Sequence, residues 1–123
     1  MGRDIQAIGV INLPNNSAIR SFLLALKMAL EDNAVELCSD PAIFPDNSKT
    51  LTDLGLTPEQ ALSELMELTP SHHLDGPEGD RDPKFKGEVC EFTLPINGRR
   101  VYVKIRLVTV RQRIYGTCIS FHE

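Results

Sequence analysis

Apolar residues recur at steps of three and four early in this chain and at steps of two near its end, so helices should precede a sheet. Ile19, Phe22, Leu23, Leu26, Ala29 and Leu30 form one apolar stripe. With Asn15-Asn16-Ser17 as N-cap candidates and Asn33 as a stop, the stripe predicts a helix running to about Asp32. Ala34 to Cys38 reads as a short strand. Ser39 to Ser48, with Pro41 and Pro45, reads as a loop. A helical turn is expected over Thr50 to Leu54, stopped by Gly55. Thr57-Pro58-Glu59-Gln60 then has the form of a helix start. Thr57 can cap, Pro58 suits the first helical position, and Gln60 stands where a capping-box partner belongs. Ala61, Leu62, Leu65 and Met66 continue at helical spacing.

Between Leu68 and Gly87 the pattern breaks. Pro70, Pro77, Pro83, Gly76, Gly79 and several acids predict a long irregular acidic segment over 68–86. From about Gly87 to Glu123 period-two alternation predicts a three-stranded antiparallel meander. Asn97-Gly98 is the favoured two-residue hairpin turn, and it fixes the first register. Leu94 then faces Val101, Phe92 faces Val103 and Cys90 faces Ile105, all on one apolar face. The other face pairs Thr93 with Tyr102 and Glu91 with Lys104.

For the second turn, a three-residue loop at Arg111-Gln112-Arg113 sets Ile105 against Ile119 and Val103 against Phe121. It also sets Lys104 against Ser120 and Tyr102 against His122. A two-residue loop would oppose Val103 to Ser120 and mix the faces, so the longer loop is expected. The result is a single α+β domain over residues 1–123. It has two layers, with N-terminal helices (about 16–67) packed on one face of a C-terminal antiparallel sheet (87–123).

Composition narrows the class. A chain of 123 residues with 41% hydrophobic and 24% charged residues has the make-up of an ordinary soluble domain. No apolar run is long enough to span a membrane. The start Met1-Gly2-Arg3-Asp4-Ile5-Gln6 lacks the apolar stretch of a signal peptide and the Ser or Thr of a myristoylation signal. Cys38, Cys90 and Cys118 are odd in number and widely spaced, so neither a disulfide framework nor a zinc knuckle is indicated. A cytoplasmic location with reduced thiols is the expectation. The net charge of −4 is unevenly spread, at +5 from Lys84 onward and −9 before it. Such asymmetry can focus a polyanion on one surface. Solvation of a sheet accounts equally well for the same Arg and Lys residues.

On the polar sheet face Glu91, Tyr102, Lys104, Arg106, Ser120 and His122 converge. This set suits a ribonuclease that needs neither metal nor cofactor. Cleavage requires a base for the ribose 2′ proton, an acid for the leaving oxygen and cations around the phosphorane. Histidine titrates near neutrality and is the natural proton carrier. Lys104 and Arg106 can neutralise phosphate charge, and Tyr102 can donate a hydrogen bond or stack on a base. Glu91 can serve as a base or simply pair with Lys104 across the strands. Arg100 and Arg99 at one turn, and Arg111 and Arg113 at the other, can hold phosphates or protect the sheet. His72-His73 with Asp75, Asp80 and Asp82 fits no metal motif and reads as a flexible acidic loop.

Val101-Tyr102-Val103-Lys104-Ile105, followed by Cys118-Ile119-Ser120-Phe121-His122, resembles the MqsR toxins of bacterial toxin-antitoxin modules. Leu54-Gly55-Leu56-Thr57, Leu68-Thr69, Gly76-Pro77 and Asp80 share the likeness, which extends from about Ile19 to Glu123. The resemblance implies a RelE-like fold and a metal-free endonuclease acting on mRNA, free of the ribosome or associated with it. It also implies neutralisation by a cognate antitoxin, often a DNA-binding protein. The family's functional tyrosine falls on Tyr102, its C-terminal basic residue on His122, and its glutamine of the preceding strand near Glu91. Its loop lysine falls near Asp75, a departure for which Lys84 or Lys86 would have to compensate. Cys90 stands where an aromatic residue is usual, and the resemblance leads one to expect more chain after His122. The competing expectation is a non-catalytic module that binds protein or RNA through the same face.

Overall fold

The computed structural model describes residues 13–79 and 87–123, with side chains from Asn16 onward. Helix α1 spans Leu13–Glu31. It begins earlier than Asn15-Asn16-Ser17 suggested. Those residues lie inside it, and Pro14 occupies its first turn, where a missing N–H costs nothing. Ile19, Phe22, Leu23, Leu26 and Ala29 are buried as one stripe, as the spacing predicts. Asn33 ends the helix in the left-handed region (φ 56°), with its N–H on the Leu30 carbonyl and that of Ala34 on Ala29.

Strand β1 (Val35–Leu37) follows. The expected loop over Ser39 to Ser48 is shorter than predicted, because α2 spans Pro45–Leu54. Pro45 opens that helix rather than punctuating a loop. Asn47, Thr50, Leu51 and Leu54 form its buried face, and Gly55 (φ 71°) closes it. Helix α3 (Pro58–Glu64) carries the anticipated capping box. The Gln60 N–H donates to Thr57 Oγ1 at 3.1 Å, and the Thr57 N–H donates to Gln60 Oε1 at 2.9 Å. Two 3₁₀ turns, Leu65–Glu67 and Pro70–His72, carry the chain on.

The segment expected to be irregular instead holds an edge strand, β2 (His73–Gly79). It pairs antiparallel with β3 (Gly87–Ile96) through two register shifts. An edge position tolerates Pro77, and Gly76 (φ 86°) takes a conformation that L side chains avoid. The His73 ring stands edge-on to Phe92, 6.1 Å between centroids, and so ties the strand to the core. Strands β4 (Arg99–Val110) and β5 (Arg113–His122) complete a five-stranded sheet in the order β1-β5-β4-β3-β2. It is antiparallel except that β1 runs parallel to β5. The helices lie on one face, giving the expected α+β two-layer domain. Phe92, Val101, Val103, Ile105 and Phe121 meet Leu26, Leu65 and Leu68 in the core between the layers. Each fully buried aliphatic or aromatic chain there contributes about 1.5–3 kcal/mol.

The β3–β4 hairpin has the expected register, with Leu94 opposite Val101, Phe92 opposite Val103 and Cys90 opposite Ile105. The β4–β5 hairpin differs from expectation at its turn. Val110 pairs with Arg113, so only Arg111 and Gln112 form the loop, both at positive φ (51° and 67°). This is the two-residue geometry that the parity of the faces had argued against. A bulge resolves the conflict. Ile105 pairs with Cys118 and not with Ile119, Lys104 pairs with Ser120, and Ile119 is the extra residue between them. Beyond the bulge Val103 faces Phe121 and Tyr102 faces His122, as predicted.

Candidate functional site

Alternation along the strands delivers one row of polar side chains per strand to the helix-free face. β4 supplies Arg100, Tyr102, Lys104 and Arg106, at about 6.8 Å intervals along the strand. β3 supplies Glu91 and Thr93, and β5 supplies Ser120 and His122. Tyr102 lies at the centre. Its phenol donates a 2.8 Å hydrogen bond to Glu91 Oε1. On its other side the His122 ring sits 5.3 Å away between centroids, tilted by 49°. A carboxylate and an imidazole thus flank one phenol across three adjacent strands. Glu91 and Lys104 are register partners. Among the described residues no ion pair joins them, because the carboxylate is turned toward Tyr102.

The Tyr102 phenol is pushed up to about 12. Burial of the ring is the leading cause, followed by the hydrogen bond to Glu91 and the negative charges of Glu91 and Asp75. The phenol therefore keeps its proton throughout the neutral range and can act as a donor but not as a base. Asp75, where the resemblance would place a lysine, is the register partner of Glu91 on β2. With Glu78 and Glu91 it faces Lys104 and Arg106 across a cleft of about 340 Å³. The face is consequently mixed in charge, with carboxylates on the β2–β3 side and cations on β4. The excess of positive charge from Lys84 onward is thus offset on this face by carboxylates from β2 and β3.

The site residues expected from sequence fall into three groups. Glu91, Tyr102 and His122 are in mutual contact through Tyr102, with Lys104 and Ser120 paired directly beside them. Arg106 lies one step further along β4 on the cleft wall. Arg100 lies in the other direction, at a second cleft of about 460 Å³ shared with His72 and Thr93. Lys84 and Lys86 lie outside the described residues, as does Asp80. His73 serves the fold, with its Nε2 bonded to the Gly76 carbonyl. His72 Nδ1 accepts the Thr69 N–H at 3.0 Å and caps a 3₁₀ turn.

The cysteines behave as small apolar groups. Burial pushes the Cys90 thiol up to about 12 and raises Cys118 as well. Cys38 is also raised, chiefly by burial and then by Glu36. Among the described residues no cluster of His, Cys, Asp and Glu has the arrangement to hold a metal ion, and no helix is long and apolar enough to cross a membrane.

Sequence reasoning missed one residue that bears on this face and the strand that carries another. Asp75 was singled out only as a departure from the expected lysine, because the Pro and Gly content of its stretch hid β2, which sets it opposite Glu91. Asn47 sat in a predicted loop, yet it is 3% exposed and bonded to the end of β5. A lone Asn inside an otherwise helical i, i+3, i+4, i+7 burial pattern was the available signal for it. No family model, no curated protein and no solved structure matches this chain.

Proposed function

We propose that this protein is an endoribonuclease of the MqsR-like, RelE-like toxin type, cleaving single-stranded mRNA in the cytoplasm without a metal. The observation that carries the reading is the Glu91–Tyr102–His122 constellation, two proton carriers on either side of a phenol that stays protonated. Glu91 takes the proton of the ribose 2′-hydroxyl as the 2′-oxygen forms its bond to phosphorus. The bond from phosphorus to the 5′-oxygen breaks, and His122 in its cationic form returns a proton to that leaving oxygen. The products are a 2′,3′-cyclic phosphate and a free 5′-hydroxyl. Tyr102 orients Glu91 in the resting protein and turns its donor to a phosphate oxygen when substrate is present. Lys104 neutralises charge that develops on the phosphorane, with Arg106, Arg100 and Ser120 holding the strand to either side. A cognate antitoxin is the expected protein partner, and the ribosome is a further candidate.

The mixed charge of the face favours a second reading, a non-catalytic module whose carboxylates and cations match a protein partner. Growth separates the two. Expression of the intact chain should arrest cells, and His122→Ala or Tyr102→Ala should relieve the arrest. Unimpaired growth at high levels of soluble protein would count decisively for the binding module.

A further inference from the structure

The end of β5 carries its polar side chains on the open face only because of the bulge at Ile119. Suppose the register set by the Arg111-Gln112 turn continued unbroken. Tyr102 would then face Phe121, and His122 would lie opposite Val101 on the core side. The extra residue inverts the last three positions of the strand. It returns Phe121 to the core, where it is fully buried, and brings Ser120 and His122 to the open face.

A bulge leaves backbone groups without ladder partners, and here they lie beyond the reach of β1. That strand pairs with Gly116 to Cys118, and its last bond runs from the Cys38 N–H to the Cys118 carbonyl at 3.0 Å. Past this point the Asn47 carboxamide takes over. Its Nδ2 donates to the Ile119 carbonyl at 2.9 Å and to the Cys38 carbonyl at 2.8 Å. Its Oδ1 accepts the Phe121 N–H at 3.0 Å. One side chain from α2 thus stands in for the next residues of β1. It satisfies the carbonyl of the bulge residue and the first ladder group after it.

We infer that Asn47 is a positioning residue, holding the β5 bulge and through it setting His122 against Tyr102. The catalytic consequence rests on the function proposed above, whereas the placement of His122 does not. Removal of the carboxamide leaves the bulge without its bonds, and the strand end loses the constraint that selects its face. The bulge can also be made unnecessary. If Ile119 is deleted, the register of the turn runs on without interruption to set Ser120 against Lys104 and His122 against Tyr102. Deletion of Ile119 should therefore rescue loss of Asn47. A general role of Asn47 in stability predicts no such rescue.

The test is an NMR measurement of nuclear Overhauser contacts between the His122 and Tyr102 rings in the full chain. The contact should be present in the native protein, absent in Asn47→Ala and restored in Asn47→Ala combined with deletion of Ile119. Contacts between Leu94 and Val101 should persist in all three. Asn47→Asp keeps the volume and the acceptor but loses both donors. It takes the place of the alanine variant if that protein lacks a cooperative melt, and it should weaken the contact several-fold. Persistence of the ring contact at native strength in a folded Asn47 variant, or failure of the deletion to restore it, overturns the inference. In RNA cleavage, kcat should fall on the order of 10²-fold at nearly constant KM, since a proton carrier is misplaced while the β4 cations remain. A chain that shows the ring pattern but never cleaves RNA retains the positioning role and loses the proposed function. The reverse result loses the positioning role alone.

Discussion

Replacement of Glu91 by Gln should lower the pKa of Tyr102, and the chain is well suited to reading this. It holds two tyrosines and no tryptophan, so in a Tyr115→Phe background phenolate absorbance reports Tyr102 alone. The native phenol should ionise at about 12, above the ordinary value of 10.0. Two pKa units correspond to about 2.7 kcal/mol if fully expressed. Tyr102 lies on an open sheet face, so solvent screening reduces its effect on stability to about 1 kcal/mol. The folded state binds this proton more tightly than the unfolded chain does. The contribution is therefore complete below the unfolded pKa near 10 and is lost as pH rises through about 12. Glu91→Gln removes the anionic acceptor and one of the two negative charges but leaves the burial that is the leading cause. The pKa should fall part of the way toward 10, and Asp75→Asn should move it less. The reading is taken within milliseconds of a jump to alkaline pH, before the protein unfolds. A native value near 10, or a value that Glu91→Gln does not lower, would refute the coupling of these residues.

Three further substitutions test the scaffold. Thr57→Ala removes the α3 capping box and should cost about 1 kcal/mol, seen as a drop of a few degrees in a thermal melt. Gln112→Gly relieves a left-handed residue (φ 67°) in the β4–β5 turn and should raise stability by roughly 0.5–1 kcal/mol in denaturant titrations. Gly76→Ala would place a Cβ 2.6 Å from the Val89 carbonyl oxygen at φ 86°, so it should loosen β2. Hydrogen exchange should quicken over His73 to Gly79 while β4 stays protected.

The sheet was legible where chemistry and parity agreed. Asn97-Gly98 announces its own turn type, and the alternation on both sides then fixes every pair of the β3–β4 hairpin. Arg111-Gln112 carries no such signature, because neither residue favours positive φ. The faces of β5 could be inferred only from their contents, which led to the right pairing of Tyr102 with His122 through the wrong loop. A bulge leaves no mark in a hydrophobic pattern except a slip of one, and a longer loop produces the same slip. β2 was hidden because an edge strand tolerates proline and glycine that a central strand would reject. Its tie to the core runs through a histidine. The α2 start was hidden because Pro45 reads alike as a loop breaker and as a first helical residue. The residues of the open face were thus found from their spacing. The acidic side of that face came from a strand the pattern did not show.

Cleavage of RNA at the open face can be tested directly with purified protein. Incubated with single-stranded RNA in EDTA, the intact chain should yield fragments ending in 2′,3′-cyclic phosphate with free 5′-hydroxyl partners. His122→Ala should reduce the rate on the order of 10²-fold or more. Intact RNA after prolonged incubation with folded protein, or cleavage undiminished in the His122 variant, would contradict it.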